Sequence, residues 1–211
     1  MKKLMRLLLA FGLGLGLAAC AGSPEAENSS KDSTPADDTT EAAEPTKSDE
    51  GKALVVYFSA TGNTAEVAEM IAADLDAATF ELKPVDPYTD EDLDYSDDAS
   101  RVSQEHGNLE NVSVELESIE VPDWDTYTTV FIGYPIWWGE AAWPVDSFVA
   151  DSNFTGKTVY PFTTSASSPL GDSAINLAAL SDSGQWQEGI RFSSHPEASE
   201  VSDWLDSLNL K

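Results

Sequence analysis

Only one cysteine, Cys20, occurs in the 211 residues, which excludes an intrachain disulfide and a thiolate metal site. Redox chemistry in such a chain has to come from a bound cofactor. Cations are scarce as well: 11 lysines and arginines stand against 38 aspartates and glutamates, a formal net charge of −27. That surplus disfavours nucleic acid as a partner, and direct adhesion to anionic lipid headgroups too, because both repel an acidic surface. A small anionic ligand remains admissible in a pocket built from backbone dipoles. Neither the Gly-Lys-Ser/Thr of a P-loop nor the G-x-G-x-x-G of a dinucleotide elbow is present. The two histidines, His106 and His195, sit in polar stretches and read as surface residues, so no nucleophile–base pair and no catalytic residue is assigned.

What is present begins with a targeting signal. Lys2, Lys3 and Arg6 precede an apolar run from Leu7 to Ala19 that ends in small residues and Cys20. The pattern is that of a secretory signal, short for a bilayer span. Its ending, Leu17-Ala18-Ala19-Cys20, resembles the lipobox of bacterial lipoproteins, and the alternative is an ordinary cleaved signal with a chance cysteine. The resemblance implies removal of residues 1–19, lipid on Cys20, and a chain held at the cell membrane on its extracytoplasmic side. Residues 21–50 contain no Val, Ile, Leu, Met, Phe, Trp or Tyr. With nothing to bury, residues 20–50 are expected to form a disordered acidic tether. Loss of the signal removes three cations and no acids, leaving eight cations against 38 acids, a net of −30.

Residues 51–211 are long enough for one domain with a full core. Hydrophobic period and punctuation alternate strands with helices. Strands are expected at Ala53–Phe58, Thr79–Leu82, Thr129–Tyr134, Lys157–Thr163 and Ile190–Phe192. Helices are expected after Phe58, at Pro144–Ala150, at Asp172–Leu180 and at Pro196–Leu208. Near-continuous apolar strands between helices imply a doubly wound parallel sheet, an α/β/α sandwich with ligands at the carboxyl ends of the strands. Residues 86–98 hold seven acids, and Asp90-x-Asp92-x-Asp94 has the start of a calcium loop. Tyr95 stands where that loop needs glycine and Arg101 where it needs glutamate, so the stretch reads as a solvated face.

Three strand-end loops carry the chemistry. In Phe58-Ser59-Ala60-Thr61-Gly62-Asn63-Thr64, hydroxyls and one glycine surround the start of a helix, whose unpaired N–H groups and positive dipole end favour an anion. Capping alone is the alternative, since Asn63 and Glu66 have the spacing of a capping box. In Tyr134-Pro135-Ile136-Trp137-Trp138-Gly139, two adjacent tryptophans need cover from core side chains, a partner or a flat aromatic ligand. Thr163-Thr164-Ser165-Ala166-Ser167-Ser168 offers hydroxyls and backbone groups to a polar heterocycle.

S-x-T-G-x-T after the first strand, YPIWWG after the third and PFTTS after the fourth together resemble the flavodoxin-like FMN proteins, over residues 53 to about 208. The resemblance implies a five-stranded parallel sheet of order 2-1-3-4-5 and FMN as the cofactor. It implies that Ser59, Thr61, Gly62, Asn63 and Thr64 hold the phosphate. Pro135, Ile136, Trp137, Trp138 and Gly139 would flank the isoalloxazine, and Thr163, Thr164 and Ser165 would face its polar edge. Residues 164–171 lack the aromatic that flavodoxins often place over the second face of the ring. The implied function is electron transfer by a tethered flavodoxin to a redox partner protein or small acceptor, with a basic docking face on a protein partner. The alternatives are an FMN-dependent NAD(P)H or quinone reductase and a flavodoxin-fold binding module without flavin.

Overall fold

The structure, a computed structural model, describes residues 51–210; the signal segment, Cys20 and the whole of the expected tether lie outside the described residues. Strand β1 (Lys52–Tyr57) leads through the elbow into α1 (Asn63–Leu75), and β2 (Ala78–Glu81) follows. A long excursion carries one short α-helix, α2 (Arg101–His106), and two 3-10 turns, Leu109–Asn111 and Trp124–Thr126. Strand β3 (Tyr127–Trp137) turns into β4 (Glu140–Ala141), and α3 (Trp143–Asp151), β5 (Thr158–Thr164) and α4 (Ser173–Leu180) come next. Two short strands, β6 (Gln185–Trp186) and β7 (Ile190–Phe192), precede α5 (Ala198–Ser207).

The sheet runs β2-β1-β3-β5-β6, with β7 also on β5 and β4 on β3. Counting main strands, this is the expected order 2-1-3-4-5, parallel throughout except for the antiparallel β3–β4 hairpin. Strand alternation divides the core between the two faces. Leu54, Val56, Val130 and Ile132 pack with Phe148, Val149 and Leu177 from α3 and α4. Val55, Tyr57 and Phe131 pack with Val67 and Ile71 from α1 and with Val201 and Leu205 from α5. Leu54, Val55 and Val56 are buried in succession, as a strand covered on both faces requires.

Some boundaries differ from expectation. The fifth strand position is shared by β6 and β7, because Gln185–Trp186 pairs with the start of β5 and Ile190–Phe192 with its end. The closing helix starts at Ala198, two residues past Pro196. Helix α2, not expected from the sequence, follows directly on the acidic stretch 86–98; Ser100 caps it by accepting from the Ser103 N–H at 3.3 Å. The acids there accept hydrogen bonds from their own loop. Asp92 takes the Thr89 N–H and hydroxyl, both at 2.9 Å, and Asp94 takes the Ser96 N–H at 2.9 Å and its hydroxyl at 2.6 Å. These bonds hold both carboxyls below the usual carboxylate range. Among the described residues no cluster of His, Cys, Asp or Glu is arranged to hold a metal ion, and no helix is long and apolar enough to cross a membrane.

Candidate functional site

The elbow closes on Gly62, not on a side-chain cap. Gly62 is the N-cap of α1 at φ +91°, its carbonyl accepts the Glu66 N–H at 3.0 Å, and no side chain caps the helix. The capping-box alternative is thereby corrected: Asn63 lies in the first turn, where its amide donates to the Thr61 hydroxyl at 3.3 Å. Glu66 faces His195 at 3.4 Å instead of reaching back. A φ of +91° is easy for glycine and strained for residues with a side chain, and a Cβ on Gly62 would meet nothing within 4 Å. The elbow is therefore an open concavity over a helix start whose leading N–H groups have no intrahelical acceptor. The buried Ser59 hydroxyl has no hydrogen-bond partner among the described residues.

The second loop is the tip of the β3–β4 hairpin, where Ile136 pairs with Ala141 and Trp137 with Glu140. The turn places Trp138 at φ +52° and Gly139 at φ +89°, and these conformations separate the fates of the two tryptophans. Trp137 is buried, edge-on to Phe58, Tyr88 and Trp143 at 5.5, 4.7 and 5.7 Å. Trp138 remains 44% exposed. His106 stacks on it at 4.4 Å and an interplanar angle of 16°, and Tyr95 lies 5.9 Å away. His106, expected on the surface and remote, thus supports the tryptophan loop, whereas His195 is exposed.

The third loop leaves the end of β5. Thr163 donates its hydroxyl to the Tyr134 carbonyl at 2.6 Å, tying β5 to β3. The Thr164 and Thr64 hydroxyls share a buried hydrogen bond of 2.8 Å across 100 residues of sequence. Ser165 sends its N–H to the Phe192 carbonyl at 3.2 Å.

All three loops meet on one cavity of about 470 Å³ at the carboxyl ends of β1, β3 and β5. Thr61, Asn63 and Thr64 line it from the elbow, Pro135 to Trp138 from the hairpin, and Thr164 to Ser168 from the third loop. Ser59, Gly62, Gly139 and Thr163 belong to these loops but do not line the cavity. Leu93, Tyr95 and Ser194 also line it and went unrecognised in the sequence. Partial burial raises the Tyr95 hydroxyl to about 12, although the side chain remains 44% exposed.

A second recess of about 270 Å³ lies where α3 meets α4 and holds Asp146, Glu140 and Trp143. Burial first, and the Glu140 carboxylate second, push Asp146 from 3.8 up to about 7. A folded-state value above the unfolded one means the native form prefers the proton. The contribution of Asp146 to stability is then fullest below its unfolded value of 3.8, is lost as pH rises through about 7, and is absent above that. Asp146→Asn is expected to flatten this decline and raise stability at pH 8 by ~1.4 kcal/mol or more, one pKa unit's worth. Urea unfolding of parent and Asp146→Asn at pH 4.5 and pH 8 measures it, and a variant whose stability changes with pH as much as the parent's would contradict it.

Comparison with known proteins agrees with this geometry. A family model described as flavodoxin matches residues 52–208, so the chain belongs to the flavodoxin family. A solved candidate flavoprotein from Bacteroides eggerthii is 37% identical, with a TM-score of 0.69, and the match covers 76% of this chain and 99% of that one. One from Bacteroides uniformis is 36% identical, with a TM-score of 0.68, covering 74% and 98%. A flavoprotein from Lactobacillus acidophilus, solved in complex with FMN, is 23% identical with a TM-score of 0.50, covering 74% and 99%; it supports the fold. A search of curated proteins finds no match.

Proposed function

We propose that this protein binds FMN in the cavity between the three loops and carries electrons as a flavodoxin tethered to the extracytoplasmic side of a bacterial membrane. The observation that carries the reading is the convergence of an anion-favouring helix start, a tryptophan hairpin and a hydroxyl-rich loop on one cavity of about 470 Å³. The residues fit the group. The unpartnered Ser59 hydroxyl and the open concavity over Gly62 suit a phosphate in a site with no lysine or arginine in its lining. Backbone N–H groups of Asn63 and Thr64 with the Thr61 hydroxyl would bind it. Ile136, Trp137 and Trp138 form an apolar wall that would orient the ring and exclude water, and Thr164 and Ser165 would meet its polar edge. FMN supplies reversible uptake of one or two electrons, and the chain sets its affinity and potential.

The test is an absorbance spectrum of the purified full chain after FMN soaking, followed by stepwise reduction. Flavin bands and two separate one-electron steps are expected. A chain that stays colourless would instead be a flavodoxin-fold binding module. Half-exposed Trp138 favours a second reading, an FMN-dependent NAD(P)H or quinone reductase, because it offers a planar substrate an apolar platform at the cavity rim. Steady turnover of a quinone would select that reading.

The anchor rests on the sequence of residues 1–20. Cys20→Ser is expected to abolish lipid attachment and shift the chain from the detergent phase to the aqueous phase or to the unprocessed form. An unchanged detergent partition of the processed variant would contradict the anchor. The acidic charge predicts a basic docking face on the redox partner. It also disfavours a negatively charged reduced ring, so the potential is expected to rise modestly with salt, and transfer to a basic acceptor to slow, over a Debye length of ~8 Å at physiological ionic strength. A salt-independent potential with a rate that increases would contradict the electrostatic account.

A further inference from the structure

Arg191 has no role in the binding scheme above, yet it is bonded to the cavity wall. It lies on β7 beside Thr163 of β5, while its neighbour Phe192 points into the core with Phe131 and Trp204. Its guanidinium grips a single residue of the third loop. Nε donates to the Ser165 hydroxyl oxygen at 3.0 Å and Nη2 to the Ser165 carbonyl at 2.6 Å. The Ser165 hydroxyl in turn donates to the Ser168 carbonyl, and the Ser165 N–H is held by Phe192. The loop is thus fixed at its start by β7 and closed on itself at Ser168, and Ser165 to Ser168 all line the cavity.

Among the described residues, the other lysines and arginines that make ion pairs or hydrogen bonds are committed away from this wall. Lys83 pairs with Glu81 and Arg101 with Asp86 and Glu105. Lys157 donates to the carbonyls of Trp124 and Tyr127 at the opposite end of β3. In a chain of net charge −27, Arg191 therefore places positive charge directly behind the hydroxyl loop. A guanidinium in a two-point bond is pre-organised: it holds its charge where it is, with less rotamer freedom to lose than a free side chain.

We propose that Arg191 is a positioning residue of the FMN site, clamping Ser165–Ser168 into their cavity-lining conformation and setting a cation behind that wall which favours the reduced cofactor. The inference rests on the FMN reading. Two electrons from an added reductant and one proton from water leave the reduced ring with one more negative charge than the oxidised ring. A nearby cation lowers the free energy of that product more than that of the neutral ring. The clamp acts on both redox states, whereas the charge acts on one, so two substitutions separate them. Arg191→Gln removes the charge; Arg191→Lys keeps it and removes the planar fork.

The test measures dissociation constants of oxidised FMN and the two-electron midpoint for parent, Arg191→Lys and Arg191→Gln full-length chains. Arg191→Gln is expected to lose about tenfold more affinity for reduced than for oxidised FMN, which lowers the midpoint by ~30 mV. Arg191→Lys is expected to bind oxidised FMN more weakly than the parent while keeping the parent's midpoint. An Arg191→Gln midpoint equal to the parent's overturns the inference and leaves FMN binding standing. Should Arg191→Gln take up no FMN, Arg191→Lys decides alone, since a midpoint lowered despite the retained charge overturns the proposal. A parent chain that binds no FMN overturns the underlying reading and this inference together.

Discussion

Replacing Gly133 with alanine is expected to destabilise the protein by ~3 kcal/mol or more, the upper end of what overpacking a core costs. Gly133 sits in the middle of the sheet, paired with Tyr57 on β1 and with Phe162 on β5. A Cβ there would lie 2.6 Å from one edge carbon of the Phe162 ring, 2.7 Å from another, and closer still to the ring tip. Ordinary carbon contacts are ~3.5–4.0 Å, so the ring has to move by about an ångström. It has little freedom to do so, because Phe162 is fully buried in the cluster beneath α1 and α5. Part of the displacement must pass to the strands, which carry the tryptophan hairpin and the hydroxyl loop at their ends. A lower urea midpoint at unchanged slope measures the effect. Adding Phe162→Leu should recover part of the loss, since the smaller side chain vacates the ring tip. Strictly additive losses in the double variant would show that the glycine is needed for some other reason.

The parts of the fold legible in the sequence were those whose neighbours are local. Leu54 to Phe58 reads as a buried strand because every residue of a doubly covered strand is apolar, and the helix after it shows its stripe at Val67, Ala68 and Ile71. The three loops were readable because each follows such a strand directly, and strand ends are where this architecture gathers its polar groups. What escaped depends on contacts between distant segments. Tyr95 and Leu93 sit among seven acids, and composition gives no sign that a solvated stretch folds back to wall the cavity. His106 has the same history: its stack on Trp138 is made across 32 residues by a six-residue helix too short to show a period. The capping-box pattern of Asn63 and Glu66 was real as a spacing but lost to Gly62, since a left-handed glycine already ends the elbow and leaves the helix N–H groups to face outward. Arg191 occupies a three-residue strand whose register only the sheet can fix.

Gly62→Val is expected to lower FMN affinity by two orders of magnitude or more while sparing riboflavin, which has the same ring and no phosphate. The φ of +91° is tolerated by glycine alone among common residues, and a β-branched side chain is among the worst replacements. The variant has two ways out. It can keep the left-handed backbone at a cost of ~1–2 kcal/mol, with the isopropyl group projecting into the open concavity where nothing lies within 4 Å. Otherwise it can rotate φ to negative values, which turns the N–H groups of Asn63 and Thr64 away from the concavity. Both outcomes remove phosphate contacts. Loss of two hydrogen bonds to a charged oxygen, each ~1.5–3 kcal/mol, amounts to roughly 100-fold to 10,000-fold in affinity at ~1.4 kcal/mol per decade. Gly62→Ala carries similar backbone strain with a far smaller group, so it should retain more FMN binding than the valine variant. Folding stability measured in parallel separates strain from ligand loss, and fluorescence titration with FMN and riboflavin provides the affinities. Equal losses for the two ligands would mean that the elbow does not hold the phosphate.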